Sequence, residues 1–167
     1  MSVKVKIDGD AVDIIARRRK GIHDSAGNHR PADTMDSLTA ERIGAAAEAA
    51  FSLRYDLPRP DADRINGDDG FDYRIRYQGN VETVEIKASA YADPSLMLSD
   101  SYRHDGVDRY VLGSVSWPTC VRFVGWIDAA EIGERASREP SQFGGWMDVV
   151  DSDDLDPLPP HSEVEVP

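Results

Sequence analysis

Strict alternation over two adjacent segments constrains this chain more than any other feature. In GDDGFDYRIRYQGNVETVEIKAS, residues 67–89, Phe71, Tyr73, Ile75 and Tyr77 alternate with Asp72, Arg74 and Arg76. That is the period of a strand whose two faces meet different surroundings. Val84 and Ile86 then alternate with Thr83, Glu85 and Lys87. The segments read as a β-hairpin turning at Gly79-Asn80, a dipeptide that accepts the positive φ of a tight loop. With that loop Asp72 stands opposite Lys87 and Arg74 opposite Glu85, and Glu85 is diagonal to Asp72 on the same face. Two carboxylates and an amine converge on one patch of sheet, over an apolar underside.

The remaining segments supply what such a hairpin packs against. Residues 2–7, around VKVKI, alternate as an edge strand, and residues 12–19 read as a short mixed helix running into Arg17-Arg18-Arg19-Lys20. Residues 21–36 are rich in Gly, Asn, Asp and Pro, the composition of a loop. From Leu38, LTAERIGAAAEAAFSLRY reads as a helix capped by Thr39, with Ile43, Ala47, Ala50 and Phe51 as its apolar stripe. Glu48 borders that stripe and Glu41 lies on the same flank, where a carboxylate can face either a cleft or water. Residues 57–66 are a Pro-punctuated connection with a short strand around Arg64-Ile65. Asp93-Pro94 reads as the start of a second helix that turns Leu96, Met97 and Leu98 inward. Then RYVLGSVSW and TCVRFVGWI are two apolar strands separated at Trp117-Pro118, followed by a short helix in DAAEIGERA and a last strand within residues 144–150. The expected fold class is mixed α/β, of α+β type, with one sheet and helices on its faces. Residues 1–37 form an N-terminal extension carrying the basic run, 38–150 the main domain, and 151–167 an acidic, Pro-rich tail expected to be partly disordered.

Composition narrows the setting. A chain of 167 residues suits one domain. The single cysteine, Cys120, excludes an internal disulfide framework and reads as a strand residue of the core. His23, His29, His104 and His161 lack the spacing of a zinc site. No long apolar run and no apolar signal core near the N-terminus occur, so a soluble, cytoplasmic protein without a membrane partner is expected. The net charge of -12 runs against the basic footprint that nucleic-acid binding usually carries. Yet of 31 acidic residues 22 are Asp, and of 19 basic residues 15 are Arg. Such Asp-rich, Lys-poor chains look like proteins of salt-loving archaea or their viruses, or of a GC-rich phage, where acidity reflects the medium or the genome as much as the ligand. The basic run, with Arg30 beyond it, reads either as a solvated helix end or as a contact to a phosphate backbone.

Asp72 followed by Glu85-x-Lys87 on the next strand is the pattern that metal-dependent phosphodiester hydrolysis requires. Hard oxygen ligands hold Mg²⁺ or Mn²⁺ with open water positions, and an amine neutralises developing charge. Asp72, Glu85 and the main-chain carbonyl of Ile86 are the candidate ligands, Lys87 the candidate amine, and Glu48 a helix carboxylate within reach. On these residues the chain resembles the PD-(D/E)XK, or restriction endonuclease-like, nucleases. The Asp of the family motif matches Asp72 in DGFDY, its Glu matches Glu85, its Lys matches Lys87 in VEIKAS, and the first-helix Glu matches Glu48, with Glu41 as alternative. Phe71 stands where the motif has Pro. The resemblance implies an αβββαβ core over residues 38–150, extra C-terminal strands, Mg²⁺ or Mn²⁺ as cofactor and DNA as partner. It also implies Glu48, Asp72, Glu85 and Lys87 as catalytic residues and Asp72, Glu85 and Ile86 as metal ligands. Arg17, Arg18, Arg19, Lys20 and Arg30 are the candidate DNA contacts, in the segment that the resemblance does not cover. Oligomeric state stays open, a homodimer being one way that such nucleases cut two strands. Two other readings compete: a nuclease-like fold that binds DNA or protein without cutting, and an acidic adaptor module.

Overall fold

The computed structural model describes residues 2–25, 36–59, 70–102, 105–142 and 144–167. Strand β1 (Val3–Lys6) leads into helix α1 (Gly9–Ser25), and helix α2 (Ser37–Tyr55) follows. The hairpin is β2 (Tyr73–Tyr77) with β3 (Asn80–Ser89). Next come β4 (Leu96–Ser99), β5 (Arg109–Ser116), β6 (Cys120–Asp128), the one-turn helix α3 (Ile132–Arg135), β7 (Ser137–Pro140), β8 (Trp146–Val150) and β9 (Val164–Glu165). Six strands form one sheet in the order β1-β6-β5-β3-β2-β9, and β4-β8-β7 form a second. Among the described residues only β3 and β5 pair in parallel. The class is α+β.

Each face of the larger sheet buries its own core. Tyr73, Ile75, Val84, Val111, Val121 and Phe123 pack under α2, where Phe51 is fully buried against Tyr55, Tyr73 and Phe123 with ring centroids 4.9 to 6.0 Å apart. The alanine stripe of α2 lets the helix lie close to the sheet. A Cβ on Gly113 of β5 would stand 3.4 Å from the Ala47 methyl. On the other face Tyr110, Leu112 and Ile127 pack with Leu96, Leu98, Ile132 and Val150, so the second sheet and α3 form the third layer.

Several expectations change. Helix α1 runs on to Ser25, so the basic run lies inside it and not at its C-terminal end, and residues 21–25 are helical rather than loop. Asp36, not Thr39, caps α2, its carboxylate accepting from the Thr39 N–H at 3.0 Å. Leu96–Ser99 is a strand, not a helix. A run this short takes the state its partner offers, and β8 supplies a ladder from Val150 to Met147. The crossover between the parallel strands β3 and β5 therefore carries β4 in place of the helix of an αβββαβ core. Cys120 begins β6 and is half-buried. Trp126 is buried, whereas Trp117 and Trp146 are exposed. The candidate strand at Arg64-Ile65, and Arg30, His29 and His104, lie outside the described residues.

The acidic tail is docked. Its strand β9 pairs with β2, Val164 is buried, and Asp156 exchanges two main-chain hydrogen bonds of 2.9 Å with Trp126. Tyr55 Oη donates to the Pro159 carbonyl at 2.9 Å. Gly125 makes this possible, because a Cβ there would stand 2.6 Å from the Asp156 carbonyl oxygen and 2.7 Å from Leu155 Cβ. Gly125→Ala is expected to lower stability by about 1–3 kcal/mol and to speed amide exchange at Trp126 and Asp156, read by hydrogen–deuterium exchange.

Candidate active site

The hairpin turns one residue earlier than Gly79-Asn80. Gln78 and Gly79 carry φ of 49° and 81°, the two positive values of a type I′ loop, and Tyr77 pairs with Asn80. Arg74 consequently faces Thr83 rather than Glu85. Its guanidinium lies over the Phe71 ring, 5.2 Å from the centroid. Moving the loop by one residue shifts the pairing by two, so facial parity survives and Glu85 and Lys87 stay on the side expected of them.

Asp72 does not simply continue the alternation. Its N–H donates to the Val84 carbonyl at 2.9 Å, while Tyr73 is the residue registered against Val84. Two residues of one strand opposing one of the other is a β-bulge, which re-aims a side chain and ends the pairing. Asp72 Oδ2 then accepts from the Ile86 N–H at 2.7 Å, where a main-chain carbonyl would stand in an unbroken ladder. In an extended strand the N–H and C=O of one residue point to the same side. The Ile86 carbonyl is therefore directed toward the fork that Asp72 occupies. The expected Asp72–Lys87 pair is replaced: Lys87 Nζ donates to Glu85 Oε1 two residues away on its own strand.

Two helices bring charge to this fork. Glu48 of α2 is held by Arg19 of α1 through two hydrogen bonds, Nη1 to Oε1 at 2.9 Å and Nη2 to Oε2 at 2.6 Å. Tyr73 Oη donates to the Glu48 main-chain carbonyl at 2.8 Å, fixing the helix against the bulge. About two helix turns before Glu48, buried Glu41 meets His23 Nδ1 at 2.8 Å. Burial first, then the charges of Glu48 and Glu85, push the Asp72 carboxyl up to about 7, against the Ile86 N–H and the Lys87 charge. Burial also raises the Tyr73 phenol, helped by the charges of Glu48 and Asp72, so it stays a neutral donor. For Arg19, burial opposes its charge, but the Glu48 hydrogen bonds and the Glu48, Asp72 and Glu41 charges outweigh that and raise it.

Among the described residues no group of three or more His, Cys, Asp and Glu side chains stands ready to hold a metal ion. The narrower set of Asp72, Glu85 and the Ile86 carbonyl fits a hard divalent cation on other grounds. Its donors are all oxygens, and Glu85 Oε2 is buried without a hydrogen-bond partner. A buried carboxylate oxygen left unpaired calls for an occupant. The carboxyl of Asp72, pushed up by burial and then by its anionic neighbours, is a group that a cation would relieve.

All four candidate catalytic side chains thus stand around one fork, with Glu48 reaching it from α2. The basic run divides. Arg19 joins the fork, Arg17 pairs with Asp13 at 2.7 Å, Lys20 pairs with Asp24, and Arg18 is exposed. Arg19 was placed in the sequence only as a DNA contact. Its position was nonetheless signalled, since Val12, Ala16, Arg19 and His23 fall at i, i+4, i+7 and i+11 of one helix face. Comparison with known proteins found no matching family model, no matching curated protein and no matching solved structure.

Proposed function

We propose that this chain is a divalent-cation-dependent nuclease that hydrolyses DNA phosphodiester bonds at the fork between β2 and β3. The observation that carries the reading is the buried, unpartnered Glu85 oxygen beside Asp72, with Lys87 on the same strand. Asp72, Glu85 and the Ile86 carbonyl would hold Mg²⁺ or Mn²⁺, and a cation bound there polarises a phosphate and makes a water a stronger nucleophile. Lys87, whose side chain is 30% exposed, reaches solvent and is placed to neutralise charge developing on the phosphate. Glu48, locked by Arg19, places a third carboxylate on the Asp72 side of the fork. Overall, a water oxygen bonds to phosphorus, the P–O3′ bond breaks, the departing 3′ oxygen takes a proton, and a 5′ phosphate remains.

A non-cutting, nuclease-like binding module is the competing reading, favoured by the Lys87–Glu85 and Arg19–Glu48 pairs, which neutralise carboxylates from within the chain. Incubating the purified protein in high salt with Mg²⁺ or Mn²⁺ and plasmid, branched DNA or RNA separates the two. Cleavage is expected on DNA, with Asp72→Ala and Lys87→Ala each slower by more than about 100-fold. Activity that survives in both variants overturns the assignment, and cation binding without cleavage of any substrate supports the module.

A further inference from the structure

We infer that Arg19, from the N-terminal helix, is a positioning residue of this site that sets both the place of the Glu48 carboxylate and the strength with which the fork holds a divalent cation. The inference rests on the nuclease reading above. Both guanidinium nitrogens that meet Glu48 do so in the planar fork geometry that fixes a carboxylate in direction as well as distance, and both side chains are largely buried, at 15% and 14% exposure. The charge of Arg19 also reaches Asp72. Across the fork stand three carboxylates, Glu48, Asp72 and Glu85, against two cations, Arg19 and Lys87.

The position of α1 does not depend on this pair. Val12 and Ala16 are buried against its neighbours, and Asp13 Oδ1 accepts from Arg42 Nε at 2.6 Å. Arg19 can therefore be changed while the helix stays in place. Removing it unbalances the fork in a defined sense: Glu48 loses its tether and becomes available to an incoming cation. Binding tightens while the geometry that Glu48 enforced around Asp72 is lost. Removing Glu48 acts in reverse, because an unneutralised guanidinium then faces the cation.

Calorimetric titration of the full chain with Mn²⁺ alone, and plasmid cleavage at saturating Mn²⁺, read the two effects separately. For Arg19→Gln the Mn²⁺ Kd is expected to fall about ten-fold and cleavage to slow about 100-fold. Arg19→Lys keeps the charge without the fork, so its Kd stays near wild type while cleavage falls part of the way. Glu48→Gln raises the Kd about ten-fold. Opposite shifts from the two halves of one ion pair mark a charge effect, since structural damage moves both in the same direction. Weaker Mn²⁺ binding in both, or an Arg19→Gln variant that matches a wild-type chain able to bind and cut, overturns the Arg19 assignment alone. A wild-type chain that neither binds Mn²⁺ nor cuts overturns the nuclease reading and this assignment with it. If Arg19→Gln does not fold, Arg19→Lys tests the tether through its slower cleavage and Glu48→Gln tests the charge through its raised Kd, and wild-type cleavage in the first or an unraised Kd in the second overturns the assignment.

Discussion

With divalent cations removed, Asp72→Asn is expected to make the protein more stable at pH 8, and to show none of the stabilisation by Mg²⁺ or Mn²⁺ that the proposed cation site predicts for the wild type. The folded chain holds the Asp72 proton up to about pH 7, whereas the unfolded chain releases it near 3.8, the ordinary value of an aspartate. Between those values the folded state carries the extra proton, so this group's contribution to stability falls as pH rises from about 4 to about 7. Above that window the half-buried carboxylate, set beside like charges, costs on the order of a few kcal/mol. Asparagine keeps the oxygen that accepts from the Ile86 N–H and never ionises. Urea unfolding in EDTA at pH 5 and pH 8 reads the difference: the wild type loses stability between the two relative to Asp72→Asn, and the variant gains about 1–3 kcal/mol at pH 8. A wild-type chain whose stability is flat relative to the variant over this range would show that Asp72 is not strained.

The second large effect lies on the other side of the sheet. Phe51 is fully buried among Tyr55, Tyr73 and Phe123, at the point where α2 meets β2 and β6. Phe51→Ala removes a whole ring from a site walled by three others and by the alanine stripe, which cannot collapse far. A loss of about 3–5 kcal/mol is expected, a large share of the ~5–15 kcal/mol that holds a domain of this size. Leu53, two residues along and 47% exposed, is the matched control, with a change within about 0.5 kcal/mol on replacement by alanine. Cleavage should fall with Phe51→Ala only as far as the folded fraction does. A larger fall at low temperature would show that α2 positions Glu48 through this ring.

The hairpin was legible because alternation is a local property, and even the displaced loop left parity intact. Nothing in the local pattern marks Gln78 as the residue that takes positive φ, when Asn80 is the commoner type for that role. The bulge at Asp72 was hidden for a different reason: it depends on which carbonyl the N–H finds across the ladder. Leu96 to Leu98 was misread because Asp93-Pro94 is a sound helix start, and only the distant partner strand β8 overrules it. Helix α1 was cut short at Gly21, although its apolar face continues to His23. The candidate set Asp72, Glu85 and Lys87 was picked out by residue type and alternation, but the Arg19–Glu48 fork joins residues 29 apart in sequence and is created by packing.

The seat of β9 against β2 bears on how the protein is made. The strand that borders the site-bearing hairpin on its outer side comes from residues 164–165, about 90 positions after β2. A ribosome releasing the chain in order exposes the edge of β2 until residues 164–165 emerge, and contacts of such long sequence separation form late. The hairpin therefore completes its borders only after residues 164–165 have been made, and the edge of β2 is open to other pairing until β9 covers it.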